Sequence, residues 1–198
     1  MPTKPISLLA GLSAALLISV AATAQESGGE TPTPANPFPE LAMGEEIMGT
    51  PFVVSEHEDW ALQCIRVPEG EEQPCYIAQV VADTTGNPTA AVNIFTLPDD
   101  PNNPAKAAAE FVTPLGTLLP ANLVLAIDVT SPKVYPYRWC DQRGCFAQIG
   151  LTNEELDMMR AGERAMMTIV SVENPQAPIL LPISLKGFTA AYDALKAR

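Results

Sequence analysis

Residues 138–147 read RWCDQRGCFA, two cysteines on either side of the turn-like residues Asp141 to Gly144. Cys140 and Cys145 could be metal ligands, redox catalysts or a covalent staple, and the choice decides how the rest of the chain is read. A second local pair, Cys64 and Cys75, flanks a loop from Val67 to Pro74 that a hairpin would close. Four cysteines admit three connectivities. The local pairing is favoured because each pair brackets a turn between apolar stretches that read as strands. Chain-entropy arithmetic assigns about 2 kcal/mol to the short loop, about 3 to the longer one and about 4.5 to a crossed pairing such as Cys64 with Cys140. That order does not decide, since geometry rather than loop length selects the partner.

The metal and redox readings fit less well. Spacings of C-x10-C and C-x4-C lack the C-x2-C knuckles common in structural zinc sites. A thioredoxin-like site would carry C-x-x-C beside a βαβ pattern, and this chain carries neither. Arg138 and Arg143 could still lower the pKa of a nearby thiol, so thiol chemistry at Cys140 and Cys145 stays open as an alternative. The single histidine, His57, sits among Glu56, Glu58 and Asp59 and reads as a surface residue.

A staple needs an oxidising compartment, and the N-terminus supplies the address. Lys4 precedes an apolar run from Ile6 to Val20, which ends in Ala22-Thr23-Ala24. This is the layout of a secretory signal peptide, residues 1–24, with cleavage expected after Ala24. The run is broken by Gly11, Ser13 and Ser19 and falls short of the roughly 20 apolar residues of a spanning helix, so no transmembrane segment is expected after cleavage. A periplasmic or secreted location follows, and disulfides are the default there.

Cleavage would leave roughly 170 residues, enough for one domain with its own core. Against 11 basic side chains stand 23 acidic ones, a formal charge of −12. Between residues 26 and 72 eleven acids accompany one base, Arg66. Such an acidic protein is unsuited to nucleic acid or anionic lipid, which are bound by neutralising phosphates with Lys and Arg. Residues 25–49, rich in Pro, Gly, Thr and Glu without apolar periodicity, read as a disordered acidic tail. The alternative is that Phe38, Leu41, Ile47 and Met48 dock on the domain.

Residues 50–198 read as a single, mainly all-β domain: a disulfide-stapled β-sandwich or barrel with one short internal helix and a C-terminal helix. Strands are predicted over Phe52–Val54, Trp60–Arg66, Tyr76–Ala82, Ala90–Leu97, Leu123–Thr130, Val134–Trp139, Phe146–Gly150, Arg164–Val172 and Ile179–Leu185. Nine strands exceed one small open sheet. Thr152-Asn153-Glu154-Glu155 is a capping box opening a helix that runs to Met159 or Arg160 and stops at Gly162. Phe188, Ala191, Tyr192 and Leu195 fall at helical spacing after Gly187. The stretch DDPNNPAKAAAEFVTPLG reads as a long loop with a short helix over Ala105–Glu110.

No catalytic constellation stands out. There is no G-x-S-x-G elbow, no phosphate-cradling G-x-x-x-x-G-K and no D-x-D-x-D-G calcium loop, so the chain is read as a non-enzyme without cofactor or metal. Carboxylate pairs such as Asp99-Asp100 and Glu154-Glu155 are explained by solvation and capping. The candidate binding surface is Tyr135, Tyr137, Arg138, Trp139 and Arg143, because aromatic and Arg side chains anchor interfaces. Ordinary core packing of the aromatics is the competing explanation.

Four stretches taken in order resemble the invasion-associated locus B family, secreted or periplasmic proteins of alphaproteobacteria. They are WALQC (Trp60 to Cys64) with Cys75 following, TPLGTLLPANLVLAID (Thr113 to Asp128), YPYRWCDQRGC (Tyr135 to Cys145) and SLKGFTAAYDAL (Ser184 to Leu195). The resemblance implies a compact β-rich fold and a family named for a role in host-cell invasion; it implies no catalytic set. The expected function is an exported binding protein with an unknown protein or envelope partner. The alternatives are a thiol-disulfide or stress-related protein using Cys140 and Cys145, and a structural envelope component.

Overall fold

In the computed structural model the described residues are 46–128 and 130–198. The expected signal peptide and nearly all of the expected acidic tail, residues 1–45, lie outside them. Eleven strands and two helices follow in chain order: β1 Pro51–His57, β2 Trp60–Ile65, β3 Cys75–Ala82, β4 Pro88–Thr96, β5 Ala105–Thr113, β6 Leu123–Ile127, β7 Lys133–Tyr135, β8 Trp139–Asp141, β9 Gly144–Thr152, α1 Asn153–Ala161, β10 Arg164–Val170, β11 Pro178–Ser184 and α2 Phe188–Lys196. They build two antiparallel sheets, one of seven strands in the order β1-β2-β3-β4-β5-β9-β8 and one of four in the order β11-β10-β6-β7. The fold is sandwich-like, the first of the two predicted architectures. Period-two burial drives it: Trp60, Leu62 and Cys64 of β2 are buried with Val92 and Ile94 of β4, and Met167, Ile169, Leu181 and Ile183 of the smaller sheet join the same apolar cluster.

A polar clasp closes one side of the sandwich. Ser184, at the end of β11, donates its amide to Oε1 of Gln79 on β3 at 2.9 Å, and its carbonyl accepts from Gln79 Nε2 and Trp60 Nε1, both at 2.9 Å. Its hydroxyl donates to Asp59 at 2.6 Å. Gln79 is one of few buried polar side chains, and these bonds satisfy it where water cannot.

Both helices start as the sequence indicates. The Glu155 amide donates to Thr152 Oγ1 at 3.3 Å and the Thr152 amide to Glu155 Oε2 at 2.9 Å, a complete capping box. On α2 the buried residues are Phe188, Ala191, Tyr192 and Leu195, with Phe188 edge-on to Trp60 at 5.4 Å.

Three expectations need correction. The supposed loop with a helix over Ala105–Glu110 is strand β5, in the interior of the larger sheet between β4 and β9. Ala107, Ala109, Phe111 and Thr113 alternate into the core, so burial between two partners overrides the helical propensity of the alanines. Of the expected loop, only the segment before β5, around Pro101 and Pro104, and the turn after it at residues 114–116 are irregular. The single strand expected over Val134–Trp139 is two: β7 belongs to the smaller sheet and β8 to the larger. Pro136 stands between them, lacks an amide to donate, and marks the place where the chain changes sheets. Finally, the last residues of the tail expected to be disordered are bonded to the domain, the Gly49 amide to the Arg66 carbonyl at 2.8 Å and Glu46 to the Arg66 guanidinium at 3.1 Å; of the four apolar residues of the docking alternative, Ile47 and Met48 are exposed, and Phe38 and Leu41 lie outside the described residues.

Candidate functional site

The hairpin of β8 and β9 ends the larger sheet at one edge. Its turn is built locally: Asp141 Oδ1 accepts the Arg143 amide at 2.8 Å, and Oδ2 accepts Arg143 Nη2 at 2.7 Å and Nε at 3.2 Å. Those side-chain and backbone bonds from Arg143 hold the Asp141 carboxyl below its ordinary range. Gly144 follows with φ +149°, and a Cβ there would collide with the carbonyl oxygen of Thr113 on β5, so only glycine lets β9 enter the sheet at this point.

Cys140 and Cys145 stand directly opposite one another across this hairpin and are bonded. Cys64 and Cys75 are likewise directly opposed on β2 and β3 and bonded, so the connectivity is the local one. In each bond one cysteine is buried, Cys64 or Cys145, and its partner is less so: Cys75 is half-buried and Cys140 exposed.

The next rung outward carries the aromatic pair. Trp139 lies opposite Phe146 and stacks on it, ring centroids 5.2 Å apart and planes within 13°. Phe146 is 2 % exposed and Trp139 is 39 % exposed, so the indole is a surface residue seated on a core residue. The Arg143 guanidinium also lies over the Phe146 ring, at 4.9 Å. Tyr137 is half-buried with its hydroxyl 3.4 Å from Thr113 Oγ1, and burial pushes its pKa up. Thr113 in turn contacts the Cys145 carbonyl at 3.3 Å and the Thr117 hydroxyl at 3.1 Å. Arg138 is exposed and has no carboxylate partner among the described residues.

Tyr135 belongs elsewhere. Its hydroxyl is 3.4 Å from Glu155 Oε1, which also accepts Lys133 Nζ at 2.7 Å, so this tyrosine helps tie β7 to α1. Burial acts to raise the Glu155 pKa, but the bonds from Lys133 and from the Thr152 amide outweigh it and hold the carboxyl below its usual value. The five predicted surface residues therefore divide: Trp139, Arg143 and Tyr137 border the hairpin, Arg138 immediately precedes β8 with its amide on the Phe146 carbonyl at 2.8 Å, and Tyr135 is committed to α1. Sequence reading missed Leu115 and Val172, both more than half exposed; the Val172 amide bonds the Gly116 carbonyl at 2.8 Å, beside the Thr113–Thr117 turn. The turn signal Pro114-Leu115-Gly116 could have marked Leu115 as outward-facing.

A concavity of about 910 Å3 opens at the other end of β4, β5 and β9, where Cys75, Phe95, Leu156, Tyr192 and Leu195 contribute to its walls. Its charges balance. Lys106 pairs with Asp99 at 3.2 Å, Arg160 pairs with Asp193 at 2.9 Å while lying over Tyr192, and Lys196 and Arg198 are matched in number by Glu72 and Asp157. Such a cleft offers volume without a charge that selects a ligand. No sequence motif announces it, because its lining comes from five separate segments. Among the described residues no three His, Cys, Asp or Glu side chains converge as a metal site would require, and no helix is long and apolar enough to cross a membrane.

Comparison with known proteins gives concordant similarities. The sequence profile of the invasion associated locus B (IalB) protein family matches residues 60–196. An invasion protein B homolog of Brucella abortus strain 2308 is 23% identical over 149 residues, covering 75% of this chain and 82% of that one. A homolog from Brucella abortus biovar 1 strain 9-941 matches with the same figures. The crystal structure of invasion associated protein B from Bartonella henselae superposes with a TM-score of 0.59 at 20% identity, over 72% of this chain and 94% of that chain, which is a likeness of fold.

Proposed function

Since the chain belongs to the invasion associated locus B family, we propose that it is an exported binding protein that presents the β8–β9 hairpin to a protein partner at the cell envelope or on a host surface. One observation carries this reading: an exposed tryptophan, Trp139, is held flat on the buried Phe146 beside a disulfide and an Arg-over-ring contact. An aromatic anchor fixed before contact loses little side-chain freedom on binding, which is how a small surface gains affinity. Leu115 and Val172 add exposed apolar area near the same end of the sheet. Export is supported by the signal-like residues 1–24 and by two disulfides, which persist in oxidising compartments. The relatives' names speak of invasion; for this chain that role is part of the proposal.

The reading is non-catalytic: the function lies in recognition, with no bond made or broken in the partner. A photo-crosslinking residue placed at the exposed hairpin position Gln142 should join the protein to one saturable partner in envelope fractions or on host cells. Crosslinks that scatter over many proteins, or that persist unchanged when Trp139 is replaced by alanine, would count against the hairpin as the contact.

A further inference from the structure

We infer that Cys140 is a site of thiol–disulfide exchange, open to small anionic thiols, whereas the Cys64–Cys75 bond is structural. This inference does not rest on the binding reading. Four observations separate the two bonds. Cys140 is exposed, but Cys75 is half-buried. The Cys140–Cys145 bond closes the shorter loop, with a sequence separation of 5 against 11, so it restrains the unfolded chain less. Its strand β8 has three residues and one neighbour at the sheet edge, whereas β2 and β3 lie inside the sheet between β1 and β4. Beyond the Cys64–Cys75 rung the chain after Cys64 is bonded on both sides, the Ile65 amide to the Pro74 carbonyl and the Arg66 amide to the Thr50 carbonyl, both at 2.9 Å, whereas the chain before Cys140 is bonded on one side, the Arg138 amide to the Phe146 carbonyl at 2.8 Å.

Charge adds selectivity. Arg138, two residues from Cys140, has no carboxylate partner among the described residues, and Arg143 lies in the turn. Arg143 is already paired with Asp141, so in this otherwise acidic protein it is the Arg138 guanidinium that draws an anionic thiolate to this edge. The thiolate attacks Cys140 Sγ, forming a new sulfur–sulfur bond. The bond to Cys145 breaks, and its electron pair passes to Cys145 Sγ, which takes a proton from solvent. A second thiolate attacking the mixed disulfide releases Cys140 and leaves the oxidised small disulfide, which completes the two-electron reduction.

The test uses the oxidised full-length exported protein in graded glutathione buffers, quenched with acid and maleimide and mapped by mass spectrometry. The glutathione adduct should fall on Cys140, and Cys140 and Cys145 should become labelled at a reducing strength roughly tenfold below that which opens Cys64–Cys75. Resistance of both bonds, earlier opening of Cys64–Cys75, or an adduct on Cys145 would each overturn the assignment. Arg138→Glu should slow exchange severalfold with glutathione, whose attacking thiolate form is a net dianion, and leave it unchanged with cysteamine, whose thiolate form is a zwitterion without net charge. Equal effects on both thiols would overturn the selectivity for anions.

Discussion

At Gly187 the backbone takes φ +79°, and a Cβ there would run into the His57 carbonyl, so α2 begins where no other residue fits. Gly70, at φ +92°, has open space around the same position. Gly187→Ala should therefore cost well over about 1 kcal/mol, clearly more than Gly70→Ala, when both are measured by chemical denaturation. Equal costs would mean that the turn conformation alone matters. Asp83 offers a second residue-scale test. Its carboxylate accepts from the Thr85 hydroxyl at 2.6 Å, the Thr85 amide at 2.8 Å and the Asn87 amide at 3.0 Å, which lower its pKa from 3.8 to about 2. A depressed folded pKa means that the stabilisation is complete above pH 3.8 and is lost as pH falls toward 2. Asp83→Asn should flatten the pH dependence of the unfolding midpoint in that window and leave it elsewhere unchanged. At this scale the sequence read well for Thr152, Glu155 and the stop at Gly162, but it did not show why a glycine stands there. That residue ends α1 at φ −84°, an ordinary value; its missing side chain makes room for the Asp128 carboxylate, a contact between distant segments that no local signal contains.

Among the elements, those with strong alternation or a capping box were legible, and those whose identity depends on neighbours were not. The stretch AKAAAEFVT has the composition of a helix, yet it becomes β5 because β4 and β9 satisfy its backbone on both sides and its small side chains fit a crowded sheet. A Cβ on Gly150 of β9, for example, would lie 2.7 Å from that of Ala105. Amide hydrogen exchange should show the amides of the Ala107–Thr113 segment protected to the level of global unfolding, as expected of an interior strand. Fast exchange there would restore the loop reading. The cap of α1 carries a smaller effect: Thr152→Ala should lower stability by about 1 kcal/mol in the same denaturation assay. β7 and β8 show the other limit of local reading, since Pro136 was visible in the sequence but the change of sheet on either side of it was not.

On the scale of the whole molecule, the sandwich is held by one apolar cluster and by the clasp of Gln79 on Ser184. Gln79→Leu would leave the Ser184 amide without its partner in a buried setting and should cost about 1–3 kcal/mol by denaturation. Fold class, the local cysteine pairs and family kinship could all be read from the chain, because each rests on spacing within short stretches. Of the residues offered as a candidate binding surface, Trp139 and Arg143 come together beside Phe146, whereas Tyr135 is drawn off to Glu155 by a fold contact that no local signal contains. The central claim is that Trp139 and its hairpin bind an envelope or host-surface partner. The most direct measurement is saturation binding of the labelled, oxidised protein to envelope fractions and host cells, comparing Trp139→Ala with Val80→Ala, an exposed apolar position on β3. The account expects saturable binding that Trp139→Ala weakens by roughly tenfold or more and Val80→Ala leaves unchanged. Binding that is absent, or equal for both variants, would contradict it.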